Sequence, residues 1–197
     1  MTDVAVDACC LINLLAADCV LPKPPLQPTR PKGSHQSHEL ALLGLALHVP
    51  TAVASESLYI LQPDHDDQGK LIKSPIDLAP FFAEDMLHRC DIVGEDETAY
   101  FVSFASRLDD GEAACMALAK NRRWRLATDD KLATHLAGQQ GVTVLTTAEL
   151  LKRWALKTKA SRSEIAGAIK NIQRFARFVP RAGSPEASWW LSHLHGV

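Results

Sequence analysis

The sequence predicts a three-layer α/β/α sandwich around a central, mainly parallel sheet, and three observations carry that prediction. Short apolar runs of strand length are separated by helical stretches of about ten residues, the spacing of parallel crossovers. Two of those runs stop on aspartates, VAVD at Asp7 and RLATDD at Asp129 and Asp130, and parallel sheets keep their chemistry at the carboxyl ends of the strands. The 197 residues are 47% hydrophobic and 22% charged, the make-up of a soluble globule with one substantial core.

Val4 to Val6 reads as a short buried strand and LINLLAADCV as the helix behind it, with Asp7 placed to cap that helix. Residues 21–38 hold five prolines between positions 22 and 31 and read as a long loop. ELALLGLALHVP, 39–50, reads as a helix ending at Pro50. TAVASESLYILQ, 51–62, reads as a second helix, which sets Glu56 beside the apolar Val53 and Ile60. QPDHDDQGKLIKSPID, 62–77, reads as a polar loop.

Further along, HRCDIVGED supplies a short strand, TAYFVSFASRL a helix, Asp109-Asp110-Gly111 a tight turn and EAACMALAKN another helix. RWRLATDD reads as a strand, KLATHLAGQQG as an amphipathic helix closed by Gly141, GVTVLTT as a strand and AELLKRWALK as a helix. SRSEIAGAIKNIQRFARFVP opens with a capping box from Ser161 to Glu164 and sets Ile165, Ala168, Ile169, Ile172, Phe175 and Ala176 on one stripe. The expected division is a domain at residues 1–157 and a basic amphipathic helix and tail at 158–197.

No apolar run approaches the ~20 residues of a membrane span, and the first residues lack the basic segment of a signal peptide, so a cytoplasmic protein without a membrane partner is expected. Cys9, Cys10, Cys19, Cys90 and Cys115 are odd in number and lack CxxC spacing, which argues against disulfides and zinc knuckles. The eight histidines show no helical ligand spacing. Net charge is −2 but uneven: residues 151–197 hold nine Lys or Arg against two Glu, a distribution suited to contact with a polyanion or, more plainly, to a solvated helix face.

On this map Asp7 and Asp130 share one sheet edge, with Glu56 and Glu112 on helices able to close over it. A carboxylate cluster is unfavourable, or is held protonated, unless a divalent cation neutralises it. All-oxygen donors point to Mg²⁺ or Mn²⁺, which activate water and stabilise charge on a phosphodiester oxygen. Each acid also has a plainer reading: Glu112 and Asp110 as first-turn acids, Asp129 as the cap of KLATHLAG, Glu56 as a side chain reaching the surface.

Taken in order, VDACCLINLLA, VPTAVASE, LDDGEAACMALA and LATDDKLATHLAGQQGVTVLTTAELL resemble the PIN-domain family, the metal-dependent ribonucleases that include VapC-type toxins. The resemblance covers residues 3 to 156. It implies an endoribonuclease acting on RNA phosphodiesters with Mg²⁺ or Mn²⁺, in which Asp7, Glu56, Glu112 and Asp130 are the four catalytic, metal-holding acids. Asp129 competes with Asp130 for the fourth place. It also implies a toxin–antitoxin pairing with a small antitoxin, and a homodimer.

Three residues or segments depart from the family pattern: Cys9 stands where many members have Asn or Ser, Glu112 where many have Asp, and the loop at 21–38 is long. Lys23, Arg30 and Lys32, or Arg122, Arg123 and Arg125, are the basic residues expected to hold RNA phosphates at the mouth of the site. The rival reading is a catalytically degenerate PIN-like module that binds RNA or a protein partner.

Overall fold

In a computed structural model, which describes residues 1–19, 43–64, 66, 67 and 69–194, the chain opens with β1 (Thr2–Val6) and α1 (Ala8–Ala17). Val4, Ala5 and Val6 are wholly buried, so β1 is covered on both faces, the condition of a central parallel strand. The expected loop at 21–38, with Lys23, Arg30 and Lys32, lies outside the described residues.

The next elements differ from the sequence reading. Residues 45–50 are not helical; they form β2 (Leu45–Pro50), which runs parallel to β1 with Leu47 opposite Val4. Leu45, Leu47 and Val49 are buried while Ala46 and His48 are partly covered, a period of two that a short apolar run does not reveal before its neighbours are known. After Pro50 a single turn, α2 (Thr51–Ala54), replaces the expected second helix. The chain then forms an antiparallel hairpin of β3 (Tyr59–Pro63) and β4 (Leu71–Pro75), in place of the end of that expected helix and of the expected polar loop.

From there the order follows the pattern. It runs α3 (Ala79–Ala83), β5 (His88–Cys90), α4 (Gly94–Ala105), α5 (Asp110–Arg122), β6 (Arg125–Ala127), α6 (Lys131–Gln140), β7 (Val144–Leu145) and α7 (Thr147–Thr158). α8 (Arg162–Asn171) continues into a π-turn at Ile172–Ala176, and α9 (Ala187–Leu194) follows. The five-stranded sheet has the order β5-β2-β1-β6-β7 with every pair parallel, and helices pack against it. Among the described residues no helix is long and apolar enough to cross a membrane.

Two consequences position the site. From β1 the chain moves first to β2 on one side and later to β6 on the other, which opens a crevice at the carboxyl ends of β1 and β6. The capping box at Ser161 and Glu164 is complete, and α8 and the π-turn bury Ile165, Ala168, Ile169 and Ile172 in the same core as α1 and α7. Each of the three isoleucines contributes about 1.5–3 kcal/mol of burial, so this segment is pinned to the sheet domain. Trp190 of α9 is also fully buried, with Phe178 packed edge-on to it at 5.8 Å.

A buried ion pair fixes α4 to α5. Glu97, on α4, accepts from Arg122 Nε at 2.7 Å and Nη2 at 2.8 Å, from Asn121 Nδ2 and from the Val93 backbone N–H. These donors hold the Glu97 carboxyl at about 2. Arg122 is therefore committed to structure, and Arg125 opens β6 at the end opposite the aspartates. The expectation that 122, 123 and 125 ring the mouth of the site is corrected by strand direction: the basic run precedes β6 and the acids follow it.

Candidate active site

Asp7 leaves β1 in an extended conformation, φ −77° and ψ 155°, and caps α1 by accepting the Ala8 N–H at 2.7 Å. Capping is only part of its environment. It is 3% exposed, and its other oxygen accepts from Cys9 Sγ at 2.9 Å and Thr128 Oγ1 at 3.0 Å. Burial raises its pKa against the lowering pull of those hydrogen bonds.

Thr128 and Cys9 tie the two strand ends together. The buried Thr128 hydroxyl donates to Asp7 and accepts the Asp130 N–H at 3.1 Å, while Cys9 Sγ donates to Asp7 and accepts the Asp129 N–H at 3.3 Å. The thiol thus supplies a hydrogen-bond donor to Asp7.

The two aspartates after β6 divide in role. Asp129 has both oxygens engaged: Oδ1 accepts the Thr147 N–H, and Oδ2 accepts from Asn13 Nδ2, Cys10 Sγ and the Thr147 hydroxyl. It fastens the loop after β6 to α1 and to the start of α7. Asp130 caps α6 through one oxygen, from Leu132 N at 2.6 Å and Ala133 N at 2.8 Å, and its charge reaches Glu112. Of the pair, Asp130 is the one whose charge raises the Glu112 carboxyl.

Glu56 sits in the turn after α2, exposed, and not inside a helix. It still converges: its carboxyl is raised to about 7 by partial burial and by the charges of Asp109 and Asp7. Glu112, in the first turn of α5, is also raised to about 7, by burial and by Asp109, Asp7 and Asp130. Asp109 appears in all three acid environments although the sequence reading placed it only in a turn. The legible signal was the cap spacing, since Asp109 accepts the Glu112 N–H at 2.9 Å and so shares a helix start with it.

Gly111 makes the approach of Glu56 to α5 feasible. A methyl group there would run into the Glu56 carboxylate and meet Val53 Cγ2 at 3.3 Å. Gly111→Ala should therefore lower stability by about 1–2 kcal/mol in urea unfolding, despite the better helix propensity of alanine. An unchanged midpoint would show that Glu56 has room to move aside.

The donor set is made of carboxylates, matched to a hard divalent cation. Among the described residues no three His, Cys, Asp or Glu side chains already converge as a ready metal-binding group, so the acids are grouped electrostatically but not drawn in.

A family model described as a PIN domain matches residues 40–182, which takes in Glu56, Glu112 and Asp130 and the helices through α8. Asp7 lies before the matched stretch. No curated protein and no solved structure matches the chain.

Proposed function

The chain belongs to the PIN-domain family, and from that premise we propose that it is a metal-dependent endoribonuclease whose site is Asp7, Glu56, Glu112 and Asp130. PIN domains are generally nucleases and typically use divalent metals. The single observation that carries the reading is the gathering of acids at the crevice, where burial and then the charges of Asp109 and Asp7 raise both Glu56 and Glu112 to about 7. Structural surface acids have no reason to be gathered in this way.

The four carboxylates would hold Mg²⁺ or Mn²⁺. When bound, such an ion supplies Lewis-acid activation of water and stabilises charge on the phosphodiester oxygens. The residues themselves do three things. Asp7 is locked by Ala8, Cys9 and Thr128, so its carboxylate is presented without rotamer freedom. Thr128 couples that carboxylate to the backbone of Asp130. Glu56 and Glu112 sit near neutrality and release their protons when positive charge arrives.

The likeness to VapC-type toxins supports a finer reading, in which a small antitoxin covers the acidic groove and the chain forms a homodimer. The experiment for the enzyme is incubation of purified protein with total RNA, with Mn²⁺ and with chelator. Cleavage with Mn²⁺ and none with chelator is the expected result; identical RNA profiles in both would leave the degenerate, RNA- or protein-binding module as the better reading.

A further inference from the structure

A polyanion cannot settle beside four carboxylates unless a cation also meets its phosphates. Among the described residues, the main influences on the Asp7, Glu56 and Glu112 carboxyls are burial, hydrogen bonds and other acids rather than a lysine or arginine. The basic run before β6 faces the wrong end. One guanidinium does reach the correct edge, from the far end of the chain: Arg181 Nη2 donates to the Asp129 carbonyl at 3.1 Å, one residue from Asp130.

The backbone under Arg181 is well anchored. Ser184 N donates to the Arg181 carbonyl at 3.1 Å and Ala187 N to Ser184 O at 3.1 Å, while Phe178 packs on the buried Trp190 and Lys152 meets Glu186 at 3.9 Å. Pro180 restricts the residue before it and fixes its own φ. The side chain is exposed, and among the described residues it makes no ion pair. An arginine held at an acidic edge by a single carbonyl contact keeps most of its planar fork for a ligand, and that fork matches a phosphate.

We propose that Arg181 is a substrate-binding residue that holds an RNA phosphate beside the acid cluster, next to the phosphodiester that is cut. This rests on the nuclease reading above and adds to it a cation that the C-terminal segment brings to the crevice. A purely structural role, stapling the loop after β6, would instead show itself in stability and leave RNA affinity unchanged.

The test compares wild type, Arg181→Ala, Arg181→Lys and Lys157→Gln. Lys157 is an exposed lysine of the same basic tail, at the opposite end of α7 from Thr147 and about 15 Å away along the helix axis. Cleavage of a single-stranded RNA is followed across a salt series. Binding of the same RNA is measured by anisotropy with each tail substitution in an Asp7→Asn background, where cutting does not interfere.

Arg181→Ala should raise KM and Kd about tenfold, leave kcat within about twofold, and flatten the slope of log affinity against log salt by about 0.7. Arg181→Lys should restore the slope but only part of the affinity, because it keeps the charge and loses the fork. Lys157→Gln should match wild type. Unchanged KM, Kd and salt slope in Arg181→Ala, in a wild type that does cut RNA, would overturn the assignment and leave the nuclease reading standing. Weakened RNA binding by Arg181→Ala in a protein that cuts nothing would keep the Arg181–phosphate contact but overturn its role beside a cut phosphodiester, together with the nuclease reading. No RNA binding by any of the chains would overturn both.

Discussion

Asp7→Asn should yield a folded protein whose RNA cleavage is reduced by about 10²–10³ or more, the scale of removing one group aimed at transition-state charge. Asparagine caps helices as well as aspartate does and still accepts the Ala8 N–H or the Thr128 hydroxyl, so the cap at α1 survives. The new amide must find an acceptor beside Cys9, a small cost offset by no longer burying a charge at a 3% exposed position. Unfolding midpoints should therefore lie within about 1 kcal/mol of wild type. Wild-type cleavage rates in Asp7→Asn would place the reaction elsewhere; a collapsed fold would make Asp7 structural.

In chelator, the pair Glu56 and Glu112 should make the fold less stable as pH rises. Each carboxyl keeps its proton in the folded chain up to about 7, whereas unfolded it releases it near its ordinary value of 4.5. Between those values the unfolded state binds fewer protons, so stability falls with rising pH, and the loss is complete above the folded value. Both groups are open to solvent in part, which keeps the effect well below the full shift.

Glu97 acts in the opposite sense. Held at about 2, its contribution is present above 4.5 and lost as pH falls towards 2. His48, partly buried and lowered, likewise favours the fold above its unfolded pKa. The clean readout is therefore the difference in melting temperature between wild type and a Glu56→Gln, Glu112→Gln double variant at several pH values from about 5 to 8.5. The double variant should overtake wild type as pH rises in chelator, and Mn²⁺ should close the gap by stabilising wild type alone. A constant difference across pH would mean that neither carboxyl is raised in the folded state.

What the sequence reveals about this site depends on how local the physics is. Asp7 at the end of VAV, the capping box at Ser161, and Glu112 at a helix start follow from nearest-neighbour rules and appear as expected, whereas Asp109, read as part of a turn, is the N-cap of α5. Residues 45–50 did not, because Leu45, Leu47 and Val49 become one buried face only once β1 lies alongside. The same tertiary dependence explains Glu56, which reaches the cluster from a turn through the space left at Gly111.

Asp129 and Asp130 are equivalent in sequence and separated only by Asn13, Cys10 and Thr147, which claim the first. Arg122 looked like an RNA contact until Glu97, 25 positions earlier in sequence, claimed it. Arg181 was anonymous within a basic tail until the burial of α8 and α9 brought it back to Asp129.

That the acids form a cation site is tested most directly by calorimetric titration of Mn²⁺ into wild type and Asp7→Asn near pH 7.5, in two buffers of different ionisation enthalpy. Wild type should bind saturably with a buffer-dependent heat, because Glu56 and Glu112 release protons as the ion enters, and Asp7→Asn should bind at least about tenfold more weakly. Equal affinity in the two proteins, or no saturable heat in either, would contradict it.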